Sequence, residues 1–198
     1  MSSGVSRGGA DYTPLFCEEN IWRLARRMLD AGAEPRALHV LILSNPDKSL
    51  LMQQQCRAGP QGYVVWDYHV VLRLDEQIFD FDTTLSFPVP ASDYFAASFP
   101  DQRHLKPAFR GWVRSVPAVA FIQNFFSDRC HMLGLVAEAE FPPWPAIQPQ
   151  HAQVVALSDY IDMYKPLADG SEVMTVRDYC RRQVGAMGRG DVDTDRTD

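Results

Sequence analysis

Tyr63-Val64-Val65-Trp66-Asp67-Tyr68-His69-Val70-Val71-Leu72-Arg73-Leu74, followed after Asp75-Glu76 by Gln77-Ile78-Phe79-Asp80-Phe81-Asp82, reads as an antiparallel strand pair. Successive strand side chains point to opposite sides, so Val64, Trp66, Tyr68, Val70, Leu72 and Leu74 form one face, an apolar one. Val65, Asp67, His69, Val71 and Arg73 form the other, and His69 therefore stands away from the greasy side. In the second strand Phe79 and Phe81 extend the apolar face, leaving Ile78, Asp80 and Asp82 on the side of His69. A turn at Leu74-Asp75 sets Asp80 opposite His69, and a turn at Asp75-Glu76 sets Asp82 there. Either register brings a carboxylate to the imidazole.

Upstream, Thr13-Pro14 reads as an N-cap and first helical residue, with Ile21, Leu24, Ala25, Met28 and Leu29 at helical spacing and Gly32 as a stop. Cys17 then lies near a helix start, where the positive dipole end and unpaired N–H groups favour a thiolate and an oxyanion. Val65, Val71 and Ile78 offer apolar area for this helix on the His69 side. Leu38 to Leu43 predicts a buried strand with Ser49 to Gln53 as its hairpin partner. Val113 to Ile122 predicts another strand, and Ser158 to Tyr164 and Thr175 to Gln183 predict helices. Phe141-Pro142-Pro143-Trp144-Pro145 reads as a loop packed on its aromatics. One helix, a mostly antiparallel sheet and flanking helices make an α+β chain.

The 198 residues, 46% of them hydrophobic, suit one core: a single domain over 11–184, with 1–10 and 185–198 as polar flexible tails. A net charge of −6 argues against nucleic acid, whose phosphates demand clustered Lys and Arg. The absence of a long apolar run argues against a membrane span. Cys17, Cys56, Cys130 and Cys180 have neither disulfide-framework nor zinc spacing, which predicts a reducing, cytoplasmic setting and no metal.

A cysteine near a helix start is ordinarily a small buried hydrophobe, and a strand histidine a satisfied structural group. Placed together with two same-face aspartates, they match the order in which papain-like and transglutaminase-like cysteine hydrolases are assembled: Cys on a helix, then His and Asp on adjacent strands.

Four blocks in sequence make the resemblance specific. Cys17-Glu18-Glu19-Asn20-Ile21-Trp22, Val65-Trp66-Asp67-Tyr68-His69-Val70-Val71, Asp80-Phe81-Asp82-Thr83 with Leu85 and Phe87-Pro88, and Ser127-Asp128-Arg129 with His131-Met132 resemble the protein N-terminal glutamine amidohydrolase family. That family converts the N-terminal Gln of a polypeptide into Glu with release of ammonia. The resemblance implies that Cys17 is the nucleophile, His69 the general base and acid, and Asp80 the orienting carboxylate. It implies a monomer without metal or organic cofactor whose partners are polypeptides with an unblocked N-terminal Gln. The family carries Ser where this chain has Cys130, so that thiol is not required.

Recognition of a free α-ammonium needs acceptors, for which Glu18, Asp67, Asp82 and Asp128 are candidates. Trp66, with Trp22 and Tyr68, is a candidate pocket wall. Asp128 and Arg129 are expected to pair at the rim, and His131 is assigned a structural role. The rival classes are a transglutaminase-like acyltransferase or cysteine peptidase on the same triad, and a non-catalytic module that binds N-termini.

Overall fold

The computed structural model describes residues 7–9, 11–149 and 154–187. Its elements are helix α1 (Cys17–Asp30), strands β1 (Leu38–Ser44), β2 (Leu50–Gln53), β3 (Tyr63–Trp66), β4 (Tyr68–Leu74), β5 (Gln77–Phe79) and β6 (Val89–Pro90), helix α2 (Ala91–Ser98), strand β7 (Trp112–Pro117), helix α3 (Ala118–Asn124), strands β8 (Phe125–Phe126) and β9 (Val155–Ala156), helix α4 (Leu157–Ile161), strand β10 (Glu172–Thr175) and helix α5 (Val176–Met187). Six strands form one antiparallel sheet in the order β10-β7-β1-β4-β5-β6. The fold is α+β with a mostly antiparallel sheet.

Both faces of that sheet are covered, which accounts for β1 reading as a nearly continuous apolar run. On one face, Val40, Ile42, Val70, Leu72, Phe79 and Val116 pack with α1, α3 and α4. On the other, Leu41, Leu43, Val71, Ile78 and Val113 pack with α2, α5 and the β2–β3 hairpin. The expectation that α1 covers Val71 and Ile78 is therefore corrected: those side chains meet Tyr94 and Phe95 of α2. Helix α1 lies on the Val70 and Leu72 side.

Three further expectations change for local reasons. The long strand expected over 63–74 breaks at Asp67, whose Oδ1 accepts the Tyr68 N–H at 2.9 Å, and alternation slips there. Val64 and Trp66 consequently join the Val71 cluster, opposite to Tyr68 and Val70. Strand β2 pairs with β3 and not with β1; between β1 and β2 the Lys48 N–H closes a turn on the Asn45 C=O at 3.0 Å, with Lys48 at φ +49°. The strand expected over 113–122 ends at Pro117, beyond which Ala118 begins a helix.

The helix expected from Pro14 starts three residues later. Leu15 adopts φ +70°, a left-handed conformation that interrupts any helix there, and Phe16 is the N-cap residue without a side-chain cap bond. Thr13 does not cap the helix. Its N–H and C=O are clasped by the Asn20 carboxamide at 2.9 and 2.8 Å. At the other end Gly32 supplies φ +88° and Ala33 N–H returns to Met28 C=O at 2.9 Å, the expected stop.

Part of each stretch expected as a tail is structured: residues 7–9 form a 3₁₀ turn and α5 runs to Met187. Arg7 donates to the Leu85 carbonyl at 3.2 Å and lies over the Phe87 ring. The remainder of both stretches lies outside the described residues. Among the described residues, no helix is long and apolar enough to cross a membrane.

Candidate active site

The site begins at the seam between α1 and β4. Cys17, only 9% exposed, is the first helical residue, so its N–H is one of those without an acceptor inside the helix. His69 follows the strand interruption at Asp67 and is 2% exposed, with the Trp66 ring stacked beside it at 5.9 Å between centroids. Both open on one cavity of about 490 Å³, which Trp66, Asp67, Tyr68, Asp82, Asp128 and His131 also line.

The β4–β5 register pairs Leu72 with Phe79 and Leu74 with Gln77, and its continuation places Asp82 opposite His69. The carboxylate that meets the ring is nevertheless Asp80. Strand β5 ends at Phe79, and the Asp82 N–H turns back to Asp80 Oδ1 at 2.9 Å. That same oxygen lies 2.9 Å from His69 Nε2. Asp80 Oδ2 accepts from Gln55 Nε2 at 3.1 Å and from the Tyr94 hydroxyl at 2.9 Å. Gln55 is delivered by a bridge to Thr83 and by Cys56 N–H on the Asp82 carbonyl at 2.7 Å; Tyr94 is delivered by α2.

These contacts set the charges. Burial would raise Asp80, but His69 and the donors Gln55 and Asp82 N–H outweigh it and hold the carboxyl below its ordinary value. Burial would lower His69; the Asp80 charge and hydrogen bond, aided by Asp82 and Glu18, raise it instead. Burial first, then the charges of Glu18 and Asp82, push the Cys17 thiol well up, against the thiolate that a helix start favours.

His69, Asp80 and Asp82 can each bring one ligand atom within 4.8 Å of the others, the one grouping among the described residues compact enough for a metal. Those atoms already have partners: Nε2 and Asp80 hold each other, and Asp82 Oδ1 accepts the Tyr12 hydroxyl at 2.6 Å. The set is arranged as a hydrogen-bonded dyad.

The remaining predicted residues divide. Trp66, Tyr68, Asp67, Asp82 and Asp128 line the cavity, whereas Trp22 does not and gives its indole N–H to the Ile122 carbonyl at 3.2 Å. Glu18 is fully buried behind Cys17 and not on the cavity surface. Asp128 and Arg129 do not pair: Asp128 Oδ1 accepts the Cys130 N–H, and Arg129 takes Glu19 with two 2.8 Å contacts. Glu19 also receives Ser127 Oγ at 2.8 Å and Trp144 Nε1 at 2.7 Å, which fastens the wall from Phe126 to Val136 to α1. Gln55 and Tyr94 carry no sequence signal for this role, and Glu19 reads only as a first-turn acid within the family block, because each acts through contacts distant along the chain. The polar run Gln53-Gln54-Gln55 carries no periodic signal at all.

A model of the N-terminal glutamine amidase family matches residues 12–183. Among curated proteins, the chain is similar to Protein N-terminal glutamine amidohydrolase of Bos taurus, 34% identical over 166 residues covering 79% of each chain. It is likewise similar to the protein of that name from Homo sapiens, 32% identical over 185 residues and 89% of each chain, and from Danio rerio, 30% identical over 178 residues, 86% of this chain and 87% of that one.

Proposed function

The chain belongs to the N-terminal glutamine amidase family, and from this we propose that it deamidates the N-terminal Gln of proteins and peptides through a Cys17–His69–Asp80 triad and a thioester. The observation that carries the reading is the buried 2.9 Å bond between His69 Nε2 and Asp80, on the cavity that also receives Cys17. It commits Nε2 to the carboxylate and leaves Nδ1 as the ring atom that exchanges protons with sulfur and substrate. The assembly is of the papain and transglutaminase kind, within one unit spanning 11–184.

Sulfur attacks the side-chain carboxamide carbon while its proton passes to His69 Nδ1, so the high thiol pKa is met by transfer during attack. Negative charge gathers on the amide oxygen and is received by N–H groups at the uncapped start of α1, that of Cys17 among them. The C–N bond breaks, His69 gives its proton to the nitrogen, and ammonia leaves. Water then loses a proton to Nδ1 and attacks the thioester. The C–S bond breaks, the sulfur regains its proton, and Glu departs. No step draws on a cofactor. Asp67, Asp82 and Asp128 give the cavity a negative field that favours a cationic chain terminus.

The test is mass spectrometry and ammonia assay on a Gln-initiated peptide. Wild type is expected to add the mass change of Gln to Glu with one ammonia per turnover, and Cys17→Ala to do neither. Amine incorporation would favour the acyltransferase, backbone cleavage the peptidase. Conversion by Cys17→Ala at the wild-type rate would sink the triad.

A further inference from the structure

A second chain of polar groups reaches the cavity on the helix side, and the triad does not use it. Glu18 is 0% exposed, and its Oε1 accepts no hydrogen bond among the described residues. An orphaned carboxylate oxygen inside a protein costs free energy until a counter-charge or donor arrives. Its other oxygen, Oε2, accepts the Tyr68 hydroxyl at 3.0 Å and lies 3.6 Å from Cys17 Sγ. Tyr68 Oη in turn lies 3.2 Å from His131 Nε2, and that nitrogen is 3.6 Å from Glu18 Oε1.

Hydrogen-bond direction along this chain fixes the imidazole. A phenol has one proton, and Tyr68 spends it on Glu18, so its oxygen can only accept from His131. His131 therefore carries its proton on Nε2 and presents a lone pair at Nδ1. The phenol keeps that proton because burial, then the charge of Glu18, raises Tyr68 well above its ordinary value. Burial lowers His131 against the opposing pull of Asp128, Asp67 and Glu19, which favours the neutral ring. A neutral ring with a free lone pair, backed by a buried carboxylate, complements a cation that donates hydrogen bonds.

Resting on the deamidase reading, we infer that the His131–Tyr68–Glu18 chain recognises the substrate α-ammonium: His131 Nδ1 accepts one of its N–H groups, and the buried Glu18 carboxylate balances its charge through Tyr68. His131 is then the residue that distinguishes a terminal Gln from an internal one, and Tyr68 and Glu18 are positioning residues that hold its tautomer.

The experiment compares two peptides differing in one group: one begins with Gln, the other with a 4-carbamoylbutanoyl group, which keeps the side chain and carbonyl but lacks the α-amine. The readout is the ratio of their kcat/KM values for ammonia release. Wild type is expected to favour the amine-bearing peptide a hundredfold or more, and His131→Ala to reduce that ratio at least tenfold. Tyr68→Phe, which removes one oxygen and keeps the ring, is expected to reduce it similarly and decides the matter if His131→Ala does not fold. A wild type indifferent to the amine, or a smaller reduction in a folded variant, overturns the inference while leaving the deamidase reading intact. Failure of wild type to release ammonia from the Gln peptide is instead a failure of that reading.

Discussion

The sheet side and the helix side of the cavity each bury carboxylates, and they satisfy them differently. Asp80, on the sheet side, accepts from His69, Gln55, Tyr94 and the Asp82 N–H and stays ionised. Glu18, on the helix side, has one orphaned oxygen and is pushed up to about 7 by burial. Its neighbour Glu19 is saturated by Arg129, Ser127 and Trp144. The lesson is that desolvation is common to all three, and the count of donors decides whether a carboxylate grips an imidazole, ties a loop or keeps an orphaned oxygen.

Asp80→Asn strikes hardest at this contrast, since an amide in that position can neither fix the tautomer nor stabilise the imidazolium. The expected loss in kcat is about 10³ to 10⁴-fold, read by ammonia release. Arg129→Leu strands the Glu19 charge, and removing one partner of a buried pair costs roughly 3–5 kcal/mol. Denaturant unfolding should show that loss, and it should disappear when Glu19→Gln is added.

Titration separates the two sides by sign. Glu18 is raised when folded, so the folded state binds more protons than the unfolded chain between an unfolded pKa of roughly 4.3 and the folded value of about 7. Wild-type stability should fall relative to Glu18→Gln as pH rises through that window. Asp80 is depressed, so its contribution is present above its unfolded value and is lost as pH falls through the folded one. The raised His69 contributes below its unfolded value, and that contribution is lost as pH rises through its folded value. Melting curves of wild type and Glu18→Gln from pH 4 to pH 8 check the first of these; parallel curves would contradict it. The smallest effect is expected of Tyr94→Phe, which takes one of four donors from Asp80. About 1–2 kcal/mol of stability and a several-fold drop in kcat should follow.

How far the sequence carried differs between these two sides as well. The β4–β5 faces were legible because β5 and most of β4 alternate without interruption, and the side shared by His69, Ile78 and Asp80 followed from parity alone. Register was not sufficient: continued unbroken it selects Asp82, and only the turn after Phe79 brings Asp80 to the ring. The slip at Asp67 is a local side-chain bond to the next N–H, yet the alternation of residue types runs through it unchanged, and the left-handed φ at Leu15 has no glycine or asparagine to announce it. Pro14 looked like a helix start because propensity is local, whereas burying Phe16 and placing Cys17 at the first turn are tertiary demands. On the helix side, Glu18 and Glu19 read equally well as first-turn acids favouring the dipole. Their opposite environments come from Tyr68, His131, Arg129 and Trp144, each at least 50 positions away, beyond the reach of any sequence window.

The Glu19 carboxylate clips the 126–136 wall to the helix that begins at Cys17, and His131 adds a second tie to that helix through Tyr68 and Glu18. Because both ties end on the first turn of that helix, slackening either one shifts the cavity rim relative to the thiol.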